Sequence, residues 1–272
     1  MQLELSGPKL RLSLEGLVAR AEDEGGVEAY VEALKAKSTL FRDALPDLEP
    51  KSLRTLCAHM ATVRRRIGSY ATAERFAEMH ERIELLVAGS EDTSSADARI
   101  ARFCAAFPQD REHRWVRDMA AELLHNADPE RYPLMQRWVW DARTNTGVIR
   151  EIWHGEDVDA RSLDVPDGYT TFLALREELA GYLTQNGVFR DVPWYVDVLT
   201  AQVYADYIGE RGGMYLRTDF ATPEDPMLHT RRILGLDGVD GTARPNRINA
   251  VFPPTKLMPA PIEWLIAFSF SG

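Results

Sequence analysis

Cysteine is nearly absent: Cys57 and Cys104 are the only two in 272 residues, too few for the disulfide framework that staples small secreted domains. The sequence predicts two reduced, partly buried thiols. No Cys-x-x-Cys pair occurs, which excludes zinc sites of that type. Long apolar runs are also missing, and none approaches the ~20 residues needed to cross a bilayer. The most apolar stretch, 261–270, is short and interrupted by Glu263. The start of the chain shows no basic leader followed by an apolar run, so no signal peptide is read. Together these absences predict a soluble, cytoplasmic protein. Phosphate cradles of the Gly-x-x-x-x-Gly-Lys and Gly-x-Gly-x-x-Gly types are lacking, as is a Gly-x-Ser-x-Gly nucleophile elbow, so the common nucleotide-binding and serine-hydrolase signatures are excluded.

Positive charge is in deficit. The net charge is −10, and residues 151–272 alone carry 10 basic and 18 acidic side chains. Summed charge governs long-range steering, so this half should repel nucleic acid and anionic membrane. The one basic triplet, Arg64-Arg65-Arg66, fans around a helix and reads as a solvated face. An apolar fraction of 45% and this chain length suffice for a sizeable core.

Hydrophobic spacing at three and four residues predicts a mainly α fold, an irregular multi-helix globular protein. Helices are expected over 27–45, over 51–87 (one long helix or two broken near Gly68), and over 98–107, 110–126, 132–143, 170–184 and 193–210. Residues 1–20 read as a short strand followed by a helix. Asn186-Gly187 and Gly212-Gly213 are expected helix stops. Beyond Gly213 the chain reads as a loop-rich C-terminal lobe with a little β, a short strand over 214–217 and a short helix over 227–234. The small, polar stretch 89–97 is the linker candidate. It divides an N-terminal helical region, 1–90, from a larger region, 91–272, unless it is only a linker within one domain.

Candidate chemistry concentrates between His113 and His154, which hold four of the six tryptophans and three of the six histidines. Two Glu-x-x-His pairs lie there, Glu122/His125 and Glu151/His154. On a helix, residues three apart share a face, so a carboxylate and an imidazole can converge on iron, manganese or zinc. The pairs resemble in part the ferritin-like helical bundles, where such pairs and lone glutamates hold two metal ions. Glu178 is among the carboxylates available to complete such a site. Pro129, Pro133 and Gly147 separate the two pairs, a departure from that pattern.

Two further clusters stand out. Arg217, His229, Arg231 and Arg232, with Asp219, Glu224 and Asp225 between them, could bind an anionic small molecule, His229 titrating. Trp264, Leu265, Ile266, Phe268 and Phe270 would form a partner-binding patch if exposed together. The function expected from these features is a non-catalytic accessory or regulatory protein acting through a protein partner or homo-oligomer. A helical metal-dependent enzyme and an anion binder are the alternatives.

Overall fold

The computed structural model describes residues 3–155, 158, 161–215 and 227–237, with side chains in its longest helix described to Gly209. Among these residues the fold is mainly α, as the spacing predicts. Ten helices occur: α1 (Gly7–Ala21), α2 (Val27–Ala44), α3 (Pro50–Ala58), α4 (Phe76–Val87), α5 (Ala96–Ala105), α6 (Trp115–Ala127), α7 (Val148–Glu151), α8 (Tyr169–Gln185), α9 (Val192–Tyr215) and α10 (Leu228–Ile233). The described β structure is two isolated bridges, Leu5 with Trp153 and Asp141 with Thr146. No described helix is long and apolar enough to cross a membrane. Most of the expected loop-rich lobe lies outside the described residues.

Two helices form the middle of the molecule. Every residue from Val196 to Val203 of α9 is buried, which marks a helix covered on all sides rather than an amphipathic surface helix. Helices α1, α2, α7, α8 and α10 pack around it. The second central helix, α6, is buried from Asp118 to Asn126 and packs on α2, α4 and α5. Residues from both sides of the 89–97 stretch contribute to the same apolar core, Leu34, Phe41 and Leu56 alongside Met119, Leu124 and Leu199.

Several elements depart from the sequence expectation. The chain over 59–75 is not continuous helix. Met60, Val63 and Ile67 keep their helical spacing and are buried, but successive turns carry them, i to i+3 bonds (Val63 to Met60, Arg66 to Val63) alternating with i to i+4 ones. The stretch 132–143 is not helical either. Pro133 cannot donate and disfavours helix in the residue before it. The Arg137 amide instead binds the buried Asp118 carboxylate at 2.9 Å, and the Trp140 indole donates to the Val165 carbonyl at 2.9 Å. At Gly147, φ is +126° and an added Cβ would lie 2.6 Å from the Val139 carbonyl oxygen, so only glycine lets this segment cross 138–139.

Within 1–20, residues 3–6 run extended with Leu5 bridged to Trp153, and the helix takes up everything from Gly7 to Ala21. At the far end, α9 runs through Gly212-Gly213 and takes in Met214 and Tyr215, where a stop and a strand are expected. Glycine costs a helix about 1 kcal/mol per residue relative to alanine, which does not by itself end one. The carboxylate of Asp97 accepts the Tyr169 amide at 2.8 Å and so caps α8.

Candidate functional site

The ionisable groups of the interior gather where α2, α6, α9 and residues 227–237 meet. Lys37 lies on the same side of α2 as Tyr30, Leu34 and Phe41 and is 2% exposed. Its ammonium donates to Glu122 Oε2 at 3.0 Å and to the Leu234 carbonyl at 2.9 Å. The same Glu122 oxygen accepts from Asn126 Nδ2 at 3.1 Å. One turn along α6, His125 Nδ1 donates to the Tyr132 carbonyl at 2.8 Å and Nε2 lies 3.3 Å from Asp197 Oδ2 on α9. The Trp194 ring meets the imidazole edge-on. Burial pulls the His125 pKa down, but the Asp197 carboxylate and the Tyr132 carbonyl outweigh it, so the net shift is upward. The proton is therefore held by its surroundings.

Residues 227–237 are fastened to this interior by polar contacts along their length. Thr230 donates to Gln202 at 3.0 Å. The Arg231 guanidinium meets both Glu24 oxygens at 2.6 and 2.5 Å and Tyr30 OH at 3.2 Å. His59 Nδ1 donates to the Gly235 carbonyl at 3.2 Å. Arg64 grips Asp237 through both guanidinium nitrogens. Burial first, and Lys37 second, push the His59 pKa down, so this imidazole stays neutral. Among the described residues, each of these acids and bases is engaged by another group of the chain.

These contacts place the sequence-predicted site residues. Glu122 and His125 are buried in α6, while Glu151 and His154 lie at the end of α7, where His154 is exposed. Among the described residues no three His, Cys, Asp or Glu side chains gather as a metal site, so the two Glu-x-x-His pairs do not converge. Arg231 turns inward to Glu24, Arg232 is exposed and His229 is partly exposed, so these three do not face one ligand. Arg217 and the patch of Trp264, Leu265, Ile266, Phe268 and Phe270 lie outside the described residues. Sequence reasoning missed Lys37, His59 and Asp197. The signal for Lys37 was a charge in step with the apolar face of α2, and for Asp197 a lone carboxylate inside the run Val196–Val203.

The described surface has a groove between the first residues and α8. Residues 3–6 run extended beside residues 152–154: the Ser6 amide donates to the Ile152 carbonyl and the His154 amide to the Glu4 carbonyl, both at 2.7 Å. In such a non-hydrogen-bonded pair, the amide and carbonyl of the central residue, here Leu5 opposite Trp153, point away from the partner strand. The Leu3 amide, two residues back on the same edge, donates to Glu178 Oε1 of α8 at 3.3 Å, so this edge faces α8. Among the described residues the Leu5 amide and carbonyl take no hydrogen bond. Two adjoining depressions, of about 480 and 510 Å³, share Leu5 and Glu178. Their charged lining is Glu4, Glu177 and Glu178, with His154 beside them, and their apolar floor is Leu3, Leu5, Leu10 and Ala174.

Comparison with known proteins finds no match for the chain: no protein-family model, no curated protein and no solved structure is similar to it.

Proposed function

We propose that this protein is a non-catalytic accessory or regulatory protein that works by binding another protein in a cytoplasmic complex. The observation that carries the reading is the contrast between interior and groove. The buried acids and bases are engaged by groups of the chain itself, whereas the Leu5 amide and carbonyl in the groove beside α8 have no partner among the described residues and lie next to apolar floor and carboxylates. The groove is open and polar rather than the enclosed apolar cavity that buries a small molecule. A sheet edge left without a partner is a template for another chain. Trp264, Leu265, Ile266, Phe268 and Phe270 add the residue types enriched at protein interfaces.

Native mass spectrometry of the chain purified gently from its own host tests this. A defined complex with a second polypeptide supports the reading. A chain that carries one or two transition-metal ions, lost to a chelator, and no partner would replace it with the metal-dependent reading. A bare single chain would overturn it outright.

A further inference from the structure

The carboxylate-lined groove between residues 3–6 and α8 has a feature that identifies its occupant more narrowly. Its hydrogen-bonding groups are backbone groups on an extended edge, the Leu5 amide and carbonyl. Backbone at the right spacing to answer them is supplied by another extended strand, and not by a helix, whose amides and carbonyls are consumed internally. Two glycines, Gly7 and Gly181 of α8, line the first depression, and neither puts a side chain into it.

Charge supplies the second restriction. Glu4 and Glu177 are exposed and Glu178 is partly so. One His154 imidazole is the titratable base of the lining. Nearby, Arg11 and Glu15 bring charges of opposite sign to Tyr182. An entering chain therefore meets carboxylates at the groove and a net charge of −10 on the molecule as a whole. A strand with alternating side chains puts one set on the apolar floor of Leu5, Leu10 and Ala174 and presents the other to its flanks.

We infer that the groove binds an extended, lysine- or arginine-bearing segment of a partner protein by strand addition along the free edge at Leu5, its cationic side chains meeting Glu4, Glu177 and Glu178. This rests on the protein-binding reading and names the partner's chemistry.

The test uses the full chain, isotope-labelled for amide spectra, and short synthetic peptides. One peptide alternates lysine and valine, one alternates glutamate and valine, and one is a fully N-methylated copy of the first that keeps its charge and loses every backbone donor. The expected result is saturable binding of the lysine peptide alone, with the Leu5 amide among the resonances that move. Glu177→Lys, an exposed change that leaves the fold intact, should weaken binding about ten-fold, because a like charge then replaces an opposite one. Added salt should weaken it further. Equal binding of the N-methylated peptide, or an unchanged affinity in Glu177→Lys, overturns strand addition. If no peptide binds while native mass spectrometry still finds a partner complex, the groove assignment falls and the protein-binding reading stands. If neither is seen, both fall.

Discussion

The Lys37 ammonium and Glu122 Oε2 sit 3.0 Å apart with side chains 3% and 5% exposed, a salt bridge removed from water and anchored on both sides by Leu234 and Asn126. Removing one partner from such a pair strands the other as a buried charge, whereas removing both can be nearly neutral. Lys37→Met should therefore cost about 3–5 kcal/mol of stability. The double variant Lys37→Met, Glu122→Gln should recover a large part of it. Urea unfolding of the four proteins measures the coupling directly, and additive losses would show that the pair acts as two independent groups.

The two buried histidines predict opposite pH dependences. The folded-state pKa of His125 is raised above its ordinary 6.5. Its contribution to stability is thus fully present below pH 6.5 and lost as pH rises through the higher folded value. The pKa of His59 is lowered from 6.5, so the unfolded chain takes up its proton first and stability falls as pH drops below 6.5. His125→Gln should flatten the alkaline limb of the stability profile, and His59→Gln the acid limb. Denaturant midpoints across neutrality decide it: if either variant flattens the opposite limb, the assigned shift has the wrong sign.

Gly235 and Gly181 should respond to alanine in opposite directions. At Gly235 φ is +70°, and a Cβ would fall 1.8 Å from the His59 carbonyl oxygen, which is backbone and cannot swing aside. Gly235→Ala should destabilise by more than the ~1–2 kcal/mol of a left-handed alanine and expose residues 227–237 to protease. Gly181 is helical, with open space where its Cβ would go. Gly181→Ala should stabilise by up to about 1 kcal/mol. Thermal melts and limited proteolysis read both effects.

The legible part of this fold was the part decided locally. Periodic apolar residues located α2 and α8 because each of these helices buries a face whose spacing is visible in sequence. The failures cluster where distant side chains take over backbone groups. Asp118 captures the Arg137 amide, Val165 accepts from Trp140, and Asp97 caps a helix 72 positions away. None of these partnerships leaves a local pattern. The same holds for the candidate site: the tryptophan- and histidine-rich stretch was conspicuous, and Trp115, His125, Trp138 and Trp140 are buried while His154 is exposed, but the partners of Glu122 and His125 come from α2 and α9. The groove edge at Leu5 was invisible because its signal is an unmade backbone hydrogen bond.

The apolar tail makes a separate prediction for the binding reading. Deleting residues 261–272 removes Trp264, Leu265, Ile266, Phe268 and Phe270, and the segment includes none of the residues named in the interior network. The far-ultraviolet helical signal should persist and partner capture should fall. Unchanged capture would leave the groove as the sole contact of that reading.

The cysteines offer a probe of the whole core. Cys57 is 1% exposed, and burial pushes its thiol up to about 12. Cys104 is partly exposed, with its pKa also raised by burial, to a lesser extent. Since the thiolate is the reacting form, an aromatic disulfide reagent near neutrality should label Cys104 first and slowly. Cys57 should react only as fast as the core opens, because both its exposure and its ionisation require unfolding around α3. When opening is fast relative to labelling, the rate follows the equilibrium population of open molecules. Lys37→Met should then accelerate Cys57 labelling by the same factor by which it raises the unfolding equilibrium constant, leaving the Cys104 rate nearly unchanged. Equal acceleration at both thiols would mean that Cys104 also reports global opening, and no acceleration at Cys57 would place that thiol in a locally opening segment outside the core that Lys37 and Glu122 hold together.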